Sequence, residues 1–379
     1  MIGQNSSALK AVSDPWRYAT LRRRTIILGS LIIAGFVALG GYGIRRSYLH
    51  ALATTKRELG NVATALAGQT AWNWQNISLL LSNTASWYLL DAPKIQPAQL
   101  DSALRARIPS VRGVRKVAIV DTTGIELFSS LPSSSDLDVS DRSYFIAQRD
   151  RIVDGLYLSA PLLSRSVHRE AIVVSRRLEQ PGGAFAGIVT AVVDLEDLTQ
   201  FYAGIDLGPG SAVELLRSDG TLLVRNPPAP VVTGQRFPGL VAATAVADTT
   251  AATRIKSPIG NERDFIAAAR VRDSPLVVAV TREEAVALRS WREEALRLAA
   301  GTLGAVLLGG FGIAALVGQL RRVESSERAL RQSEERYALA LEGANEGHWD
   351  WDVVPDRLYL SPTMRSLHGL LPDVSIDSR

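Results

Sequence analysis

Two uncharged apolar runs, residues 25–44 and 298–320, punctuate a chain whose other hydrophobic positions recur at shorter periods. The first, TIILGSLIIAGFVALGGYGI, lies between Arg22, Arg23, Arg24 on one side and Arg45, Arg46 on the other. At about 1.5 Å rise per residue it matches a hydrocarbon core roughly 30 Å thick, with no charge to bury. The second, LAAGTLGAVLLGGFGIAALVGQL, is closed by Arg297 and Arg321. Both are expected to be transmembrane helices, which makes the lipid bilayer an expected partner. Core helices of soluble proteins rarely run so long without charge. A cleaved signal is the rival for the first run, because Ala51, Leu52 and Ala53 carry a small-residue pattern. Its apolar stretch exceeds the roughly 7–15 residues of a signal, and two arginines separate it from that site.

Between the runs the period changes twice. Leu49, Leu52, Leu59, Val62, Leu66, Ile77, Leu80 and Leu81 recur at near-helical spacing, with no proline from residue 45 until Pro93. They predict a long helix over 45–91, read as a stalk leaving the membrane. Short β-rich runs follow, and two look like copies: VAIVDTTGIELF (117–128) and VELLRSDGTLLV (213–224), each a strand, a glycine turn and a strand. Gly124 and Gly220 stand at the same offset and supply the positive φ such a turn demands. GIVTAVV (187–193) and PLVVAVT (275–281) each run into a helix-like segment. The middle therefore reads as two similar α+β modules in tandem, 92–205 and 206–297.

After the second run the helix is expected to continue over 321–342 as a signalling helix. Val323, Leu330, Tyr337 and Ala344 repeat every seven residues, and Glu324 with Arg328 forms a favourable pair one turn apart. Gly310, Ala314 and Gly318 in one span, and Ser30, Ala34 and Ala38 in the other, form small-residue ridges that allow close helix approach, so a homodimer is expected.

Charge and composition narrow the chemistry. The net charge of +4 comes from arginines clustered at the span edges, where they suit lipid headgroups; nucleic acid is not an expected partner. Within 15 residues of the spans, nine Lys/Arg lie on the head and tail sides and seven on the middle side, a small bias placing head and tail in the cytoplasm. The chain has no cysteine, which excludes disulfides, thiolate metal sites and cysteine nucleophiles. His50 and His168 stand alone in the middle, so no catalytic constellation, metal site or cofactor is expected there.

The helix, the tandem hairpins and the segments DRSYF (141–145), GLYLSAP (155–161), IVVSRRL (172–178) and FAGIVTAVVD (185–194) resemble double Cache domains. These are tandem PAS-like sensor domains of bacterial receptors, usually periplasmic. The resemblance implies a small-molecule ligand held by the membrane-distal module. Its pocket would use Arg142, Tyr144 and Phe145 from the short helix after the first hairpin, and Asp194 at the end of the last strand. Tyr157, Ser159 and Arg176 are further candidates. A guanidinium grips a carboxylate at two points and aromatic walls exclude water, so the ligand is expected to be a carboxylate. The amino-acid-binding version of the family carries tryptophan then tyrosine where Tyr144 and Phe145 stand, which argues against an amino acid. Each residue also has a structural reading: Arg142 paired with Asp141, Tyr144 and Phe145 as core aromatics, and Asp194 as the N-cap of the following helix.

In the tail, SEERYALALEGANEGHWDWD (333–352) followed by RLYLSP (357–362) resembles the first helix and opening strands of a cytoplasmic PAS domain. A strand there places His348, Asp350 and Asp352 on one face and Trp349 and Trp351 on the other, the tryptophans filling or flanking a sheet. The chain ends at Arg379, short of a PAS domain's length, and is expected to be a fragment or a truncated reading frame.

The expected architecture is thus α+β: a basic cytoplasmic head (1–24), transmembrane helix 1 (25–44), stalk helix (45–91), distal and proximal PAS-like Cache modules, transmembrane helix 2 (298–320), a coiled-coil-like linker and the start of a further PAS domain (343–379). The expected function is an inner-membrane sensor with the middle in the periplasm, feeding a histidine kinase outside this sequence. The alternatives are the sensor part of a diguanylate cyclase or phosphodiesterase, a membrane-tethered periplasmic enzyme, and a ligand-free scaffold.

Overall fold

A computed structural model describes residues 15–107, 111, 113–131, 137–229, 233–246, 252–256, 259, 263–343, 347–353 and 357–369. The chain divides into two compact units, Arg45–Ala295 and a second made of Met1–Ile44 with Leu296–Arg379.

The 45–295 unit is built on the later part of helix α1 (Pro15–Leu90). Leu59, Ala63, Leu66, Thr70, Trp74, Ile77, Leu81 and Thr84, spaced three or four apart, form one buried stripe. Fully burying a leucine of this kind contributes about 1.5–3 kcal/mol, so the stripe ties the helix to the sheets. Residues 59–85 of the expected stalk helix are thus the spine on which the unit packs. After a short 3₁₀ turn at Ala92–Lys94 and helix α2 (Pro97–Arg105) comes the first sheet. Its strands are β1 (Val114–Val120), β2 (Glu126–Ser129), β3 (Leu156–Leu158), β4 (Leu162–Leu163), β5 (Glu170–Glu179) and β6 (Phe185–Asp194). Their order is β2-β1-β6-β5-β3, with β4 also on β5. Helix α3 (Ser143–Arg149) covers its outer face, and α4 (Leu195–Ala203) leads out of it.

The second sheet comprises β7 (Ser211–Arg217), β8 (Leu222–Asn226), β9 (Thr253–Lys256), β10 (Arg263–Arg270) and β11 (Leu276–Glu283), in the order β8-β7-β11-β10-β9. Helix α5 (Pro238–Val246) packs on it. The two hairpins correspond in detail. Gly124 and Gly220 have φ of 99° and 88°, a left-handed conformation open to glycine. The register slips between Ile119 and Val120 in one and between Leu215 and Leu216 in the other. Isolated bridges, Ile125 to Asp138 and Thr221 to Arg236, each start at the residue after the hairpin glycine. One apolar core runs along α1 and takes the inner faces of both sheets, including Val117, Ile119 and Val174 from the first and Leu215, Phe265 and Val278 from the second.

The unit closes at its chain ends through α6 (Glu284–Ala287) and the start of α7 (Arg289–Gly343). There Trp291 meets Tyr48 edge-on, with ring centroids 5.0 Å apart, and Ser47 donates to Glu294 at 2.7 Å.

In the other unit, α1 and α7 contain the two apolar runs, and both helices are long and apolar enough to cross a membrane. They touch where a side chain is missing: a Cβ on Gly29 would stand 2.3 Å from Ile313, and one on Gly40 would stand 2.5 Å from Thr302. Gly310 and Gly318 have nothing of this chain within 4 Å of a Cβ position. Tyr18 donates to Glu327 at 2.6 Å, which joins the outer ends of the two helices. The heptad residues Val323, Leu330 and Tyr337 are exposed; Ala344 lies outside the described residues. The tail forms a hairpin of β12 (Trp349–Asp352) and β13 (Arg357–Leu360), then α8 (Pro362–Leu367) capped by Ser361. Trp349 and Trp351, expected to fill or flank a sheet, lie in the first strand of this hairpin and are exposed. Residues 1–14 of the head and those beyond 369 also lie outside the description.

Candidate functional site

The outer face of the first sheet is where the sequence places a ligand, and it is nearly full. Tyr144 and Phe145 of α3 are buried against Val120, Val173, Ile188 and Val192. Phe145 meets Phe185 at 5.9 Å. Burial pushes the Tyr144 phenol up to about 12, against the opposing pull of Arg142. Beside them lies a cavity of about 20 Å³, lined by Arg142, Tyr144, Lys116, Glu126 and Thr190 among others, with room for about one water. The space is taken by a pair the sequence reading missed. Lys116 Nζ donates to Glu126 Oε2 at 2.8 Å and lies 2.7 Å from Oε1, and the two side chains are only 1% and 7% exposed. The signal was a lysine inside the apolar run VRKVAIV.

Of the seven residues proposed from sequence, Arg142 and Tyr144 line this cavity. Tyr157 is half-buried in the same apolar cluster as Phe145. Ser159 is fully buried and spends its hydroxyl on the backbone, accepting from Val173 N–H at 2.9 Å and donating to the Ala160 carbonyl at 2.8 Å. Arg176 lies opposite Val189, which belongs to the core around α1, and so faces away from Tyr144. That placement is corrected by one residue: side chains alternate across a strand, and Arg177 takes the outer face. Arg177 donates to the carbonyls of Gln148 and Arg149 at 2.5 and 3.0 Å, holding the C-terminal end of α3.

Asp194 lies in a different place. Its Oδ1 accepts from Glu196 N–H at 2.9 Å, capping α4, while Oδ2 lies 3.4 Å from Arg115 and 3.7 Å from Arg169. The side chain walls a cleft of about 410 Å³ between the end of the first sheet and the β7–β8 hairpin of the second. A third, apolar void of about 40 Å³ lies in the core beside Trp74 and Tyr202. The Tyr202 hydroxyl lies 3.0 Å from that of Thr70, and burial raises its pKa to about 12.

The second sheet's outer face carries its own buried charge. Glu214 on β7 is fully buried, pairs with Arg225 and accepts from the Thr281 hydroxyl at 3.0 Å. Desolvation pushes its carboxyl up to about 7 against the pull of Arg225, with Asp264 adding to the rise. A glutamate in the apolar run VELLR was the available sign. No group of three or more metal-ligating side chains occurs among the described residues.

Two sheets of one strand order on a shared helix, with a covered outer face on each, define a Cache-type sensor domain. Residues 196–281 match the dCache_1_like family model, described as a histidine kinase sensor domain. The extracellular domain of rpHK1S-Z16, described as a histidine kinase, is 32% identical, covers 62% of this chain and is itself 97% covered, with a TM-score of 0.55. The chain belongs to this family of histidine kinase sensor domains. The Non-motile and phage-resistance protein of Caulobacter vibrioides is 37% identical over 84 residues, 18% of this chain. The chain spans about a tenth of the length of that curated relative.

Proposed function

We propose that the chain is the input part of a membrane receptor. The tandem sheets, read as a double Cache domain, bind a small molecule outside the cytoplasmic membrane. The repacking passes through α7 to a cytoplasmic PAS domain and then to a histidine kinase. The observation that carries the reading is the chain order: an apolar helix, a sensor unit homologous to a histidine kinase's extracellular domain, and a second apolar helix. A ligand shifts such a device only by binding one packing more tightly than the other. The base of the sensor offers a place to read that shift, since Tyr48 and Ser47 of the incoming helix touch Trp291 and Glu294 of the outgoing one.

Topology and relay are tested separately. Alkaline phosphatase fused after residue 200 is expected to be active and the same fusion after residue 369 inactive; the opposite pattern overturns the orientation. Residues 1–343 joined to a kinase core of known output are expected to change autophosphorylation when Trp291 is replaced by Ala. An output indifferent to that change argues for a scaffold.

A further inference from the structure

We propose that the cleft walled by Asp194 and Arg225 is the sensor's input site, and that it takes an uncharged, polyhydroxylated molecule of about monosaccharide size. This rests on the sensor reading and departs from it in both place and chemistry. The outer face of the first sheet has about 20 Å³ free, and its own lysine and glutamate fill the polar ground. The cleft has about 410 Å³, within the roughly 300–1,000 Å³ that small-molecule sites occupy.

Its charges select against ions. Arg169 is paired with Glu196 at 2.9 Å, Asp194 lies 3.4 Å from Arg115, and Arg225 is engaged by Glu214. An anion entering meets Asp194, Glu196 and the rim residue Glu170; a cation meets Arg169 and Arg225. What stays unanswered is neutral hydrogen bonding. Asp194 Oδ2 is a buried acceptor and Arg225 Nε a buried donor, and neither has a hydrogen-bond partner among the described residues. Buried groups of this kind cost free energy until they are paired. Asp194 and Arg225 both line the cleft beside the apolar Leu223, Val224 and Pro228, and a hydroxyl, which both donates and accepts, is the neutral group that suits an acceptor and a donor alike.

The position suits a switch. Asp194 begins the helix that leaves the first sheet and Arg225 lies on the second, so a molecule bridging them is sensitive to how the two sheets pack.

Thermal-shift and calorimetric titrations of the full chain in nanodiscs, with D-glucose, myo-inositol and glycerol against L-glutamate, L-lysine and glycine, test the assignment. An uncharged polyol is expected to bind saturably. Ala229→Trp, which fills the cleft from a half-buried hairpin position, and Thr199→Phe, which fills it from α4, are each expected to weaken binding at least tenfold. Arg142→Ala is expected to leave it within twofold. Binding confined to charged or zwitterionic compounds overturns the chemistry, and loss in Arg142→Ala with retention in both cleft variants overturns the place; the sensor reading survives either result. No binding of any kind overturns the cleft, while the kinase chimera still decides the sensor reading.

Discussion

Among the described residues, each of the two sheets carries on its outer face an ion pair with a buried carboxylate, with the polarity reversed. In the first, the cation is on the first hairpin strand, Lys116 of β1, and the carboxylate is on the second, Glu126 of β2. In the second, Glu214 of β7 is the anion and Arg225 of β8 the cation. The Lys116 ammonium donates to Glu126 Oε2 at 2.8 Å and lies 2.7 Å from Oε1, which has no hydrogen-bond partner among the described residues. Glu214 receives Arg225 and Thr281 on Oε1 alone, while Oε2 has no hydrogen-bond partner among the described residues, and Asp264 adds a like charge. Each carboxylate is hydrogen-bonded through one oxygen, and the difference lies around them: the Lys116–Glu126 pair is buried at both ends, whereas the Asp264 carboxylate near Glu214 favours its protonated form. The same fold thus carries one sealed face and one titratable face.

Breaking the sealed pair is expected to have the largest effect. Lys116→Met leaves Glu126 buried without its cation, which costs about 3–5 kcal/mol in such sites. Adding Glu126→Leu removes the orphaned charge and is expected to recover most of that loss. Urea denaturation at pH 7 reads both. A single-variant loss under about 1 kcal/mol means that Glu126 finds water, and the face is not sealed.

The titratable face gives a pH signature of definite sign. The Glu214 pKa rises from 4.5 to about 7 on folding, so the folded state binds the proton more tightly. Its contribution to stability is greatest below 4.5, falls as pH rises from there to about 7, and is flat above. The drop amounts to about 3 kcal/mol, because each tenfold gain in proton affinity is worth roughly 1.4 kcal/mol. Glu214→Gln stays neutral, so subtracting its stability-versus-pH curve from the wild-type curve is expected to show that fall. Two parallel curves would mean that the Glu214 carboxyl titrates alike in the folded and unfolded protein, and would erase the contrast between the sheets.

Much of this frame was legible in the sequence, for reasons that hold locally. A charge-free run of twenty residues states its own length, and Gly124 and Gly220 mark their turns because few other residues adopt the φ required. The sites were less legible because they depend on partners far along the chain. Choosing Arg176 over Arg177 turns on strand parity, which a one-residue slip inverts. The depth of Lys116 follows from Glu126 across the hairpin, and periodicity within VRKVAIV cannot tell a buried paired lysine from an exposed one. The cleft is assembled from residues between Arg169 and Thr233, on both sides of α4, so no single motif announces it.

The smallest expected effect separates two causes of the Glu214 shift. Desolvation is the larger, and the Asp264 carboxylate on β10 adds to it across β11. Asp264→Asn keeps the shape of that side chain and removes its charge, so Glu214 ionises more readily and the stability loss moves to lower pH. The direction is fixed, because removing a nearby negative charge can only favour a second one. The size is modest, because burial remains and Arg225 still faces Oε1. The expected pattern is a midpoint displaced downward by less than the whole rise above 4.5, read from the difference between Asp264→Asn and the double variant that also carries Glu214→Gln. An unmoved midpoint would show that the two carboxylates do not sense each other, leaving the second sheet's proton affinity to desolvation alone. The face would then hold one isolated titrating group instead of a coupled pair.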